Sequence, residues 1–151
     1  MLLSNEHGFH LDIHDLKQLT ALHVEGDRNE HCAVMLGRTK PRNGDLDIEV
    51  IAIVEVPNTS EQPEDYFQIN SRDLKAAITH MPLAALDGEL PPVIGFVHTH
   101  SRNEADPSYA DITGAKESAL NFVLHHRSRT LTMFDGTGYI TKFTYSMKEG
   151  S

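Results

Sequence analysis

Residues 93–97 read Val-Ile-Gly-Phe-Val, and the chain passes straight from this apolar run into His98-Thr99-His100. A short unbroken apolar run reads as a strand covered on both faces, so the rest of the chain must supply neighbouring strands and covering elements. Side chains two apart on a strand share a face, and the two imidazoles therefore project together from its end. With ten histidines among 151 residues, this is the first place to look for metal chemistry.

Residues 8–13 alternate as a short strand, while Leu16, Leu19, Leu22 and Val24 fall at helical spacing before residues 25–29 stop the helix. Residues 31–36 read as a buried strand ended by Gly37, and residues 41–45 as a turn. Residues 47–56 read as the longest strand, with Ile48, Val50, Ala52, Val54 and Val56 on one face. A polar loop over 57–65 and a short strand over 66–69 precede a helix that Ser71 caps and that reaches about Met81. Residues 83–92 form an apolar loop and 101–106 a polar one. A helix then starts at Pro107-Ser108 and extends to about Asn121. Strands follow over 122–125, 129–134 and 139–145, with Asp135-Gly136-Thr137-Gly138 as a hairpin turn. The expected fold is one mixed α/β domain over residues 1–151, its core about 9–145, with a mixed sheet flanked by helices.

Thirteen Lys and Arg against twenty-two Asp and Glu leave a net charge of −9, which repels polyanions; nucleic acid is not an expected partner. No stretch of eighteen apolar residues occurs, so no membrane association is expected either. Cys32 is the single cysteine and has no disulfide partner in the chain, and no basic leader opens the sequence; a cytoplasmic location is expected.

Eleven residues after His100, Asp111 offers a carboxylate from the first turn of a helix, and the intervening loop is long enough to fold it back over the strand end. Two nitrogens and one oxygen suit zinc, which at three protein ligands keeps an open position for a water of lowered pKa. Such a water needs a base that is not itself a ligand, and Glu30, just ahead of a buried strand, is a candidate. Ser108, at the helix N-terminus beside Asp111, could donate a hydrogen bond to a developing oxyanion.

Glu30, then His98-Thr-His100-Ser101, six residues, and Ser108-Tyr-Ala-Asp111 resemble the motif of the JAMM, or catalytic MPN, family of metalloproteases. Residues 30–37 resemble its Glu-led second strand, Val56-Pro57-Asn58 its strand-ending Pro-Asn, and residues 66–69 its aromatic segment before the middle helix. Ser101 stands where that family most often has Pro, and Ala33 where Gly is frequent. The resemblance implies a compact prokaryotic or phage-type member with a cytidine-deaminase-like architecture and one zinc per chain held by His98, His100 and Asp111. In it Glu30 would be the general acid and base, and Ser108 would steady the tetrahedral intermediate. The implied reaction is hydrolysis of an amide after the C-terminal glycine of a ubiquitin-like protein, in deconjugation or precursor processing. A peptidase of phage tail assembly and a non-catalytic MPN scaffold are the alternatives.

Taken singly, these residues have ordinary explanations: serine caps helices, aspartate favours first turns, and a histidine pair on an exposed strand is solvated. Only the joint pattern points to a metal. A zinc deaminase needs a Pro-Cys-x-x-Cys pair, which one cysteine does not supply. His7, His10 and His14 match no standard ligand spacing and read as surface, and His125 and His126 point to opposite faces of a strand. Leu83, Leu86 and Leu90 read as packing under a loop; their functional reading is a clamp that, with the strand over 47–57, takes up a glycine-ended tail by strand addition.

Overall fold

The computed structural model describes residues 1–3, 5, 7–79, 91–101 and 104–147. Among these residues eight strands form a single sheet: β1 (Leu2–Leu3), β2 (Phe9–Ile13), β3 (Cys32–Arg42), β4 (Asp45–Val56), β5 (Val93–Thr99), β6 (Leu120–His125), β7 (Thr130–Phe134) and β8 (Ile140–Thr144). Their order is β1-β2-β4-β3-β5-β6-β7-β8, with β2–β4 and β5–β6 parallel and the remaining pairs antiparallel. The helices among the described residues are short: α1 (Leu16–Thr20), α2 (Ser71–Thr79) and α3 (Tyr109–Thr113). Helices and a mixed sheet are both present as expected, but the sheet makes up most of the fold.

The largest departure from the expected pattern lies in β4. Leu36 pairs with Ala52 but Gly37 pairs with Val50, so Ile51 is an extra residue and the alternation inverts there. Ile48, Val50 and Ile53 consequently enter the larger core, with Leu11, Leu19, Val97, Phe122, Leu131 and Phe143. Ala52 and Val54 instead enter a smaller cluster on the other side, with Val34, Leu36, Phe96, Leu74 and Ile78. The single face expected for Ile48 through Val56 is thus divided between two cores by one residue. A Cβ at Gly37 would strike the carbonyl oxygen of Glu49, so the bulge requires glycine at this position. Gly37 does not end the strand. β3 runs on to Arg42, and the chain reverses at Asn43 (φ 48°) and Gly44 (φ 87°), a left-handed pair suited to a tight hairpin, rather than over the whole of 41–45.

Other boundaries move for local reasons. Residues 66–69 form no strand; they belong to a loop tied back to Asn58 and Thr59. Asn70, not Ser71, caps α2, its Oδ1 accepting from the Arg72 amide. α3 stops at Thr113 because Gly114 follows, and the Asn121 side chain then builds a turn by accepting from Lys116 N and donating to the carbonyls of Lys116 and Ala119. α1 ends at Thr20, although Leu22 remains buried beyond it. His125 closes β6 while His126 enters a 3₁₀ turn, so the two are not a strand pair. β4 lies between β2 and β3 up to Val50, which leaves its first half no free edge for strand addition. The apolar segment with Leu83, Leu86 and Leu90 lies outside the described residues.

Candidate metal centre

β5 occupies the middle of the sheet between antiparallel β3 and parallel β6, and this position assembles the site. Phe96 and His98 share its face, and the register sets His98 against Cys32 on one side and Val123 on the other. Beyond the strand end, His100 N donates to Leu124 O and so continues the β6 ladder. Thr99 is pinned to His31 twice, its N–H donating to the His31 carbonyl and its Oγ1 accepting from the His31 N–H. Glu30, next to His31, thereby arrives beside the histidines. Ser108 and Asp111 form a capping box at the start of α3: Asp111 N donates to Ser108 Oγ (3.1 Å) and Ser108 N to Asp111 Oδ2 (2.9 Å). Ser101, in the place where proline is commonest, donates its hydroxyl to Arg28 O (3.1 Å) and ties the loop after His100 to the segment before Glu30.

The ligand atoms of Glu30, His98, His100 and Asp111 all lie within 4.8 Å of one another. Asp111 Oδ1 is 3.1 Å from His98 Nε2 and Asp111 Oδ2 is 3.0 Å from His100 Nε2. Glu30 stands farther off, Oε1 4.0 Å from His98 Nε2 and Oε2 3.7 Å from His100 Nε2. His98 is 1% exposed, Glu30 6% and Asp111 7%. The His100 Nδ1 faces Glu104 O at 3.3 Å, which turns Nε2 toward the cluster. Phe67 stacks on the His98 ring at 4.3 Å and 21°, and Phe134 meets it edge-on.

The electrostatics follow from burial against pairing. Burial pushes His98 below its usual range despite the pull of Asp111. Burial opposes protonation of His100 too, but there the Asp111 hydrogen bond and the charges of Asp111 and Glu30 prevail and the net shift is upward. Desolvation would raise Asp111, yet the two imidazoles and the Ser108 N–H hold it far below the usual carboxylate range.

These residues fit a divalent cation on three counts. The His98 Nε2 is buried with Asp111 Oδ1 3.1 Å away but no well-formed hydrogen bond, and in the neutral tautomer protonated at Nδ1 its lone pair is free to take a cation. The separations of 3.0 and 3.1 Å are close to the roughly 3.3 Å between neighbouring ligands of a tetrahedral zinc with bonds near 2.0–2.1 Å. Two buried carboxylates with two imidazoles also carry negative charge that a divalent ion balances. Two hollows adjoin the cluster. One, of about 110 Å³, is lined by Glu30, Glu64, Asp65, His100, Ser101, Glu104 and Ser108. The other, of about 410 Å³, is mainly apolar, walled by Phe67, Ile69, Leu74, Phe96, Ala110 and Phe134, and reaches Asp111.

All five residues singled out in the sequence thus meet at one place. Phe67 was noted only as part of an aromatic segment; its contact with His98 depends on a loop that carries no periodic signal. Cys32 lies beside His98 in register, but its thiol donates to Val56 O and burial pushes it up to about 12, which makes it inert. His7, His10 and His14 are exposed as expected. His14 does approach Asp12 and Glu49, but Glu49 already pairs with it at 2.9 Å and Asp12 holds the Met1 ammonium at 2.8 Å.

Comparison with curated proteins gives no match. The family model for prokaryotic homologs of the JAB domain matches residues 14–137. That span runs from the end of β2 to the β7–β8 turn and includes Glu30, His98, His100, Ser108 and Asp111, and the chain belongs to this family of JAB-domain homologs.

Proposed function

We propose that the protein is a zinc-dependent peptidase that hydrolyses an amide after the C-terminal glycine of a ubiquitin-like protein, as a conjugate or a precursor. The observation that carries this reading is the convergence of Glu30, His98, His100 and Asp111, three of them buried, with ligand atoms all within 4.8 Å of one another. His98, His100 and Asp111 are the residues that would hold the ion. Zinc, when bound, supplies Lewis acidity, which makes hydroxide available near neutral pH and polarises a carbonyl.

The rest is the work of the chain. Glu30, set back from the imidazoles, takes the proton released in the attack and returns it to the leaving amine. Ser108 Oγ accepts from Asp111 N, so its own O–H is left to donate to the oxygen that becomes negative. The apolar hollow beside Asp111 receives the extended tail, and glycines at the scissile bond let the backbone approach between Phe67 and α3. A purely scaffolding domain has no use for a buried glutamate set back from a histidine pair, which favours catalysis over that alternative.

The test incubates the zinc-loaded protein with fusions whose upstream part is a ubiquitin-like protein ending in Gly, and reads cleavage by intact mass. Cleavage after the glycine, abolished by Glu30→Gln, is expected. Uncleaved fusions across a panel of such proteins, with a zinc-loaded site, would remove the substrate assignment and leave a metal-binding JAB domain.

A further inference from the structure

Glu30 belongs to no strand, and its main chain is held by the loop that follows β4. Its N–H donates to Pro63 O at 2.6 Å, and its carbonyl accepts from Asn58 Nδ2 at 2.8 Å. The antiparallel register that pairs Cys32 with Val56 would, if continued, set residue 30 against residue 58. Pro57 has no N–H, so the ladder ends there, and the Asn58 side chain takes over. Its Nδ2 also donates to Tyr66 O at 3.0 Å, while its Oδ1 accepts from Ser60 N at 3.1 Å and from Gln68 N at 3.0 Å. Both donors and both lone pairs of the amide are in use. Between Tyr66 and Gln68 lies Phe67, whose ring backs His98.

We infer that Asn58 is a positioning residue that sets the Glu30 main chain and the Phe67 ring in fixed relation, and so aligns the proton-transferring carboxylate with the His98 imidazole. This rests on the reading of Glu30 as acid and base. Asparagine is the side chain that can do it: aspartate keeps the acceptors for Ser60 and Gln68 but turns two donors into a charge facing the carbonyls of Glu30 and Tyr66, and alanine removes both halves. A change of this kind leaves the three residues that would hold zinc untouched and shifts only the carboxylate and the wall beside them.

The experiment compares Asn58→Asp and Asn58→Ala with the wild-type full chain by amide hydrogen exchange, zinc content and turnover of a Gly-ended fusion. Asn58→Ala is expected to speed exchange at least about tenfold at Gln68, whose amide donates to Asn58 Oδ1, and at Glu30, whose amide keeps its Pro63 acceptor but loses the tether on its carbonyl; Asn58→Asp should speed Glu30 with Gln68 still protected. Val34 and Val97, inside the sheet, should exchange as before, and one zinc per chain should remain. kcat should fall about 10- to 100-fold with KM within about threefold, the pattern of a misplaced group rather than lost binding. Wild-type exchange at Glu30 and Gln68 in Asn58→Ala overturns the proposal; so does equal acceleration at Val34 and Val97, which would make Asn58 merely structural. If Asn58→Asp speeds exchange at Glu30 while Glu30→Gln turns over normally, the tether on the Glu30 carbonyl stands and the assigned role of Glu30 in proton transfer falls.

Discussion

Exchanging Glu30 for Gln and Asp111 for Asn, two near-isosteric changes at carboxylates a few ångströms apart, separates proton transfer from metal binding. Asp111 touches both imidazoles, at 3.1 and 3.0 Å, whereas Glu30 keeps 4.0 and 3.7 Å from them. Glu30→Gln should therefore leave the zinc dissociation constant within about threefold while lowering kcat by about 10²- to 10⁴-fold, the usual contribution of a placed acid and base, or about 2.7–5.5 kcal/mol of barrier. Asp111→Asn should weaken zinc at least about 100-fold, since it removes the one anion in contact with both histidines. The substituted amide oxygen can still accept from Ser108 N, so the helix cap is largely kept. The assay pairs competition against a chromophoric chelator with turnover of the Gly-ended fusion and a thermal melt. Zinc lost from Glu30→Gln, turnover within tenfold of wild type in that variant, or tight stoichiometric zinc in Asp111→Asn would each refute the division of roles.

Phe67→Ala strips the stacked ring from His98 and should weaken zinc by about tenfold to 100-fold without unfolding the protein; an unchanged chelator titration would refute a supporting role. Gly37→Ala forces a methyl into the Glu49 carbonyl and should cost about 1–3 kcal/mol, read as a lower urea midpoint at constant slope, and an unchanged midpoint would discount the bulge. In metal-free protein Asp111 titrates below its ordinary 3.8, so its contribution to stability is full above that value and is lost as pH falls through the depressed one. Below about pH 5 the urea midpoint of wild type should drop more steeply than that of Asp111→Asn; parallel curves would contradict the pairing. Removal of zinc by phenanthroline should stop turnover but leave the far-UV spectrum intact, because the sheet core contains no metal ligand other than His98; unfolding on chelation would make the site structural.

The ligand constellation was legible where local rules govern. His98 and His100 follow from strand periodicity, and Ser108 and Asp111 from capping chemistry, each set by neighbours within four residues. Glu30 is a candidate from its place ahead of a buried strand and gains its role from the resemblance, because its approach to His100 is created by the pairing of Cys32 with His98 across 66 positions of chain, which no spacing encodes. Asn58 and Phe67 escaped assignment for the same reason: loop side chains have no period, and Glu30 and His98, which they meet, are distant in sequence. Helix lengths were overread at α1 and α3, where apolar residues continue past the last helical turn and pack from irregular backbone, as Leu22 does.

The extra residue at Ile51 bears on how this chain can change length. Deleting it would bring Ala52 and Val54 round beside Leu11 and Phe122 and carry Ile53 out toward α2, exchanging the linings of two compartments at once. An insertion or deletion in the middle of β4 is therefore barred, whereas the Asn43-Gly44 tip, with open space around Gly44, tolerates one. Sequence drift in length is channelled to the end of the hairpin remote from the histidines, which leaves the strand pairing that sets Glu30 beside Asn58 unchanged.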